Sequence, residues 1–146
     1  MVEVKFYDRK AVDDALLQFA VVAAKYKGQW VFCRHKQRDT YECPGGHREM
    51  GERIEDTAKR ELWEETGAID FELLNMGVYS VVKDGEESFG MLYFAAIEEL
   101  GELPDLEIER ILLTDDLPTR WTYPEIQPRL LERIEEVRRI LASIPL

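Results

Sequence analysis

Only two cysteines occur in the 146 residues, Cys33 and Cys43. They are not at metal-ligand spacing and no other cysteine-rich cluster exists, so both read as buried thiols and not as a zinc site or a disulfide framework. No run approaches the roughly 18 apolar residues a membrane helix needs. The first ten residues, MVEVKFYDRK, have no apolar stretch of signal-peptide type, so a cytoplasmic protein without a membrane partner is expected. Internal repeats, low-complexity tracts and Gly/Ser-rich linkers are absent, which leaves one domain spanning 1–146. Positive charge is in deficit: 19 Lys and Arg stand against 30 Asp and Glu, a net charge of -11. A field of that sign repels polyanions and argues against a large nucleic-acid partner. It admits a small anionic ligand if a metal ion bridges the repulsion.

What is present is a globular composition, 45% hydrophobic and 34% charged, with enough aromatics (10%) to exclude disorder. VEVKFY (2–7) alternates as a strand does. The apolar run 16–26 and QWVFCRH (29–35) flank a Lys-Gly pair and read as a hairpin with Gly28 in the turn. TYECPGG (40–46) closes on a proline and two glycines, which are expected to end any strand there. Residues 53–66 carry Ile54, Ala58 and Leu62 on one helical line, with Gly67 placed for a left-handed C-cap. Strands are expected at 70–82 and 88–100, joined by a turn over 83–87, and another around 108–114. Ile126, Leu130, Leu131, Ile134, Val137 and Leu141 give an amphipathic helix over 124–144, with Pro128 suited only to its first turn. The order of elements predicts an α/β or α+β fold with a mixed sheet between two helices.

The helix at 53–66 contains a local conflict. Glu61, Glu64 and Glu65 have the offsets i, i+3 and i+4, which place them on one face. Like charges so placed destabilise a helix by a few tenths of a kcal/mol per pair. They also occupy the last turn, the negative end of the helix dipole. Arg60 offsets part of the cost. Conflicts of this kind are expected at functional sites. A hard divalent cation reverses the sign of the energy, because Mg²⁺ takes oxygen ligands in an octahedron. The Pro44-Gly45-Gly46 loop can bring a bare backbone carbonyl near the carboxylates. The alternative is a solvated acidic face.

The segment as a whole resembles the signature of the Nudix hydrolases. Gly46 is followed by HREMG and Glu52; after RIEDTAK come Arg60, Glu61, Leu62, Trp63, Glu64, Glu65, Thr66 and Gly67. Every fixed position of the family pattern is matched, and the one departure is Ala68 where a larger aliphatic is usual. The resemblance implies an α/β/α sandwich and the hydrolysis, with Mg²⁺ or Mn²⁺, of a nucleoside diphosphate linked to another moiety. It implies Glu64 and Glu65 as main metal ligands, with Glu61 a further ligand or the group that orients or deprotonates water. The Gly45 carbonyl would complete the metal site, and Arg60 and Glu52 would hold the frame. Family members often recruit a further carboxylate; Glu107 and Glu109 precede an apolar strand, share a face if the segment is extended, and either could serve, with Glu109 expected to join the metal site.

Within the family, YECPGG and ILLTDDLP look most like the MutT-like branch, which acts on nucleoside triphosphates including oxidised ones such as 8-oxo-dGTP. The asparagine those enzymes use to read the purine has no clear counterpart in PTRWTYPEIQ (118–127). Tyr7, Trp121 and Tyr123 are aromatics that could stack on a base, and Arg34 and Arg48 could contact phosphate. His35 reads as structural, and His47 occupies a variable position of the box. ADP-ribose, a sugar nucleotide or a dinucleoside polyphosphate are the competing substrates, and a catalytically silent nucleotide-sensing domain is the competing class. The partner expected is a small nucleotide, and the protein a monomer or homodimer.

Overall fold

A computed structural model describes residues 1–143. The elements in chain order are β1 (Val2–Tyr7), β2 (Leu17–Tyr26), β3 (Gln29–His35), β4 (Gly45–His47), α1 (Ile54–Thr66), β5 (Ala68–Lys83), β6 (Glu86–Leu100), β7 (Ile108–Thr114) and α2 (Gln127–Ser143), with a 3-10 turn at Asp14–Leu16. The sheet runs β1-β5-β6-β2-β3-β7, and β4 pairs with β2. The β2–β6 pairing is parallel and the others are antiparallel, so the sheet is mixed.

Alternation along the strands builds one core on each face. On β2, Ala20, Val22 and Ala24 join Ile54, Ala58 and Leu62 of α1, while Ala23 joins Leu130, Leu131 and Ile134 of α2. A register shift between Leu17 and Phe19 puts Leu17 on the α1 side and Phe19 on the α2 side. The result is the expected three-layer arrangement, a mixed sheet between two helices. No helix among the described residues is long and apolar enough to cross a membrane. Cys33 and Cys43 are both buried and unbonded to each other.

Four details differ from the sequence reading. The glycines after Pro44 do not end a strand. They make β4, because a side chain at Gly45 would place its Cβ 2.5 Å from the Ala20 carbonyl. The turn between β5 and β6 is shorter than 83–87: Asp84 and Gly85 alone carry positive φ, as a two-residue hairpin turn needs, so both strands extend further. The last helix starts at Gln127 and not at 124, with Pro128 in its first turn; residue 144 lies outside the described residues. Leu141 is exposed and does not join the apolar face of α2.

Candidate active site

The Nudix-like box spans β4, the following loop and α1, and each local element has a physical cause. Gly67 ends the helix in the left-handed conformation, φ 79°, and donates its N–H to the Trp63 carbonyl. A side chain there would also strike the Glu102 carbonyl at 2.7 Å. Gly46 lies against the Glu61 carboxylate: an added Cβ would sit 2.4 Å from Glu61 Oε1. That residue is glycine because the carboxylate needs the room.

Arg60 organises the carboxylates. Its Nε donates to Glu52 at 2.8 Å, and its Nη1 to Glu61 at 2.8 Å and Glu64 at 3.3 Å. Its Nη2 reaches the His47 carbonyl and Glu52 at 3.0 Å each. Glu52 also accepts from the Thr57 hydroxyl at 2.7 Å. Those hydrogen bonds, Arg60 foremost, hold the Glu52 carboxyl down at about 2. Glu65 stands apart from this cluster, accepting the Gly45 N–H at 2.8 Å. Burial, only partly opposed by that N–H and reinforced by the negative charge of Glu61, pushes the Glu65 carboxyl up to about 8. Burial also raises Glu61, with the Arg60 hydrogen bond opposing it.

Arg60, Glu61, Glu64 and Glu65 line a cavity of about 450 Å³ together with Glu107. A second cavity of about 390 Å³ adjoins it, because His47, Glu65 and Glu107 border both. Its lining includes Phe19, His35, Arg38, Glu42, Cys43, Gly45, Tyr79, Tyr123 and Gln127. Among the described residues no three His, Cys, Asp or Glu side chains stand preassembled as a metal cage; Glu61 and Glu64 are held on Arg60 instead.

Gly45, Arg60, Glu61, Glu64, Glu65 and Tyr123 border the two cavities, and Glu52 stands behind them, bonded to Arg60. The structure places others elsewhere. Glu107, not Glu109, lines both cavities. A register irregularity between the Arg34–Arg110 and His35–Ile108 pairs breaks the alternation that would have put the two glutamates on one face. Trp121 packs edge-on against Phe32 at 5.3 Å and is part of the α2-side core. Arg34 is on β3 and borders neither cavity. Tyr7 donates to Glu87 at the far edge of the sheet. Arg48 borders the first cavity, but its guanidinium is bonded to the carbonyls of Asp14, Leu17 and Glu52 and to the Asp14 carboxylate. Sequence reading missed Arg38, Glu42 and Gln127 altogether. Arg38 and Glu42 lie in one irregular segment after β3 and Gln127 lies far from it in sequence, so no local pattern unites them.

Comparison with known proteins agrees with the geometry. The family model described as NUDIX domain matches residues 16–134. A Bacillus subtilis (strain 168) protein named "Putative 8-oxo-dGTP diphosphatase YtkD" is 37% identical over 98 residues, which cover 66% of this chain and 61% of that protein. The chain therefore aligns with about three-fifths of that relative's length. The crystal structure of the Bacillus subtilis pyrophosphohydrolase BsRppH superposes with a TM-score of 0.77 at 29% identity, covering 93% of this chain and 90% of that one. The MutT NUDIX hydrolase from Burkholderia pseudomallei shares the fold, with a TM-score of 0.62 at 22% identity over 80% of this chain and 95% of its own. With a family match across most of its length and the box carboxylates gathered on one cleft wall, this chain belongs to the Nudix family.

Proposed function

We propose that the protein hydrolyses a pyrophosphate bond of a nucleoside or deoxynucleoside triphosphate with the help of Mg²⁺ or Mn²⁺, releasing the monophosphate and pyrophosphate. The observation that carries this reading is the wall formed by Glu61, Glu64 and Glu65 on a cavity that opens into a second, partly apolar one. The first suits a metal and phosphates, the second a nucleoside. The relative named for 8-oxo-dGTP supports including oxidised purine nucleotides among the substrates.

The donor set fits a hard cation. Glu61, Glu64 and Glu65, with Glu107 and the Gly45 carbonyl at the same cleft, offer oxygen only, which suits Mg²⁺ or Mn²⁺ and not a soft metal. When bound, such an ion neutralises pyrophosphate charge and makes a water more acidic. The chain's own groups do the rest. Arg60 fixes Glu61 and Glu64 from behind, and Glu52 fixes Arg60. The Gly45 N–H orients the Glu65 carboxylate. Burial raises the proton affinity of Glu61, so it is suited to receive a proton from an attacking water.

A panel of dGTP, 8-oxo-dGTP, ATP, ADP-ribose, a sugar nucleotide and a dinucleoside polyphosphate with Mg²⁺ tests the reading. Triphosphates should be cut fastest. Much faster cleavage of ADP-ribose would overturn the substrate class, and no turnover of any of them would leave a silent sensing domain. Replacing Glu64 and Glu65 by Gln should abolish turnover without unfolding the chain; unchanged turnover would remove the metal-site assignment.

A further inference from the structure

Carboxylates outnumber cationic side chains in this chain, 30 to 19, yet two arginines stand side by side without one. Arg34 of β3 lies directly opposite Arg110 of β7 in the antiparallel register. Opposed residues of an antiparallel pair point to the same face, with Cβ atoms about 5 Å apart. Two residues along the same ladder, Phe32 faces Leu112, and both pack on the α2 side. Arg34 and Arg110 therefore share that side, and the register irregularity begins only after them.

Like charges so opposed cost stability. A carboxylate between them would remove the cost, but among the described residues neither guanidinium makes an ion pair. Two carboxylates lie on the neighbouring segment, and both go to other arginines. Glu42, bridged to Cys33 beside Arg34, meets Arg38 at 3.5 Å, and Asp39 meets Arg120. Arg110 Nη2 donates to a neutral acceptor, the Tyr41 hydroxyl, at 2.8 Å. The Arg34 side chain has no hydrogen bond, and its Nε is sealed from solvent without a partner. A buried donor left unmet is a further cost. An apolar side chain at position 34 would avoid both penalties, so the fold gains nothing from this arginine.

An anion reverses the first cost. The guanidinium fork suits the several oxygens of a phosphate group. The Tyr41 oxygen, already accepting from Arg110, still has its own O–H to donate. Neither arginine borders the two catalytic cavities. We propose that Arg34, Arg110 and Tyr41 form a binding site for a phosphate-type anion, separate from the catalytic cleft. The proposal stands apart from the hydrolysis reading and does not need it.

Calorimetric titration of the protein with inorganic pyrophosphate in excess chelator tests the site. Without metal the catalytic cleft presents Glu61, Glu64, Glu65 and Glu107, which repel the ligand, so binding reads the arginine pair. The wild type should bind pyrophosphate. Arg34→Met and Arg110→Met, which keep an apolar stem without the charge, should each bind it roughly 10- to 100-fold more weakly, the usual effect of losing a charged hydrogen-bond partner. AMP in a parallel titration separates the sources: tighter binding of pyrophosphate assigns the free anion, tighter binding of AMP a nucleotide phosphate, and either supports the site. With no anion present, Arg34→Met should have a higher Tm than the wild type, a gain that an arginine serving the fold would not give. Failure of the wild type to bind either ligand overturns the site, as does equal binding by the variants. An Arg34→Met protein that melts lower or does not fold makes Arg34 part of the fold and overturns it too. Each of these results leaves the proposed hydrolysis standing, since the substrate panel decides that separately.

Discussion

Glu65→Gln should stabilise the metal-free protein, and by an amount that grows with pH. The Glu65 carboxyl is pushed up to about 8 from an ordinary 4.5, chiefly by burial. A carboxyl raised in the folded state binds its proton more tightly there than in the unfolded chain. Folding is therefore least penalised below pH 4.5, and stability declines as pH rises from 4.5 through about 8. The interval is about 3.5 units, and at 1.36 kcal/mol per unit the full effect is about 5 kcal/mol, reached above pH 8. At pH 7 the part already developed is about 3 kcal/mol by the same arithmetic. Glutamine is close in shape, keeps an acceptor for the Gly45 N–H and does not titrate. The difference in unfolding free energy between variant and wild type should thus widen by several kcal/mol from pH 4 to pH 9. Urea unfolding in excess chelator at a series of pH values measures it. The difference, not either curve alone, carries the test, because Glu52 imposes the opposite slope at acid pH in both proteins: its carboxyl is held at about 2, so its contribution is lost as pH falls below 4.5. Parallel curves between pH 5 and pH 9 would refute the burial argument. Millimolar Mg²⁺ should flatten the wild-type decline, since a cation at the box favours the ionised form.

Three further outcomes follow from the packing. Gly46→Ala should cost about 1–3 kcal/mol in thermal or chemical melts, because its Cβ would meet Glu61 at 2.4 Å, and should depress metal-dependent turnover as well. Arg60→Ala should cost about 3 kcal/mol in chemical denaturation, since it leaves Glu52, Glu61 and Glu64 facing one another, and Arg60→Lys should not restore it because one ammonium cannot reach both Glu52 and the His47 carbonyl. Trp121→Ala should lower stability by about 3 kcal/mol through its contact with Phe32, whereas Tyr123→Ala, at an exposed position on the second cavity, should change stability by less than about 0.5 kcal/mol and raise KM.

The box was legible because its parts are contiguous. Glycine, carboxylate, arginine and cap lie within residues 46–67, so helical spacing alone brings Glu61, Glu64 and Glu65 together. The strands were legible wherever apolar periodicity was strong, as in 29–35 and 88–100. β4 was not, since three residues containing two glycines have no periodicity; what makes them a strand is the close approach of β2, a long-range fact. The second cavity was illegible for the same reason. Cys43 and Gln127 are joined by a hydrogen bond across 84 positions, and no local pattern announces that a glutamine will be held by a distant backbone amide. Trp121 shows the converse error: an aromatic in a polar loop reads as a stacking platform until its partner in the core, Phe32, is seen.

The three box glutamates are not equivalent. From sequence alone they form one repulsive face whose tension is relieved together by a cation. In the structure Arg60 already relieves two of them: Glu61 and Glu64 are bonded to it, and Glu52 is bonded to it from the other side. Glu65 receives only a neutral N–H and lies close enough to Glu61 to feel its charge. The local conflict is therefore concentrated on Glu65, the one of the three that borders both cavities. A cation arriving at the cleft gains most by neutralising that single side chain, and to use Glu61 and Glu64 as well it must compete with Arg60. Removing Arg60 should on this account have divided effects: weaker stability without metal, and a larger stabilisation on adding Mg²⁺ than in the wild type, because the competitor is gone. A Mg²⁺-induced rise in Tm that is smaller in Arg60→Ala than in wild type would mean that Arg60 positions the carboxylates for the ion more than it competes with it.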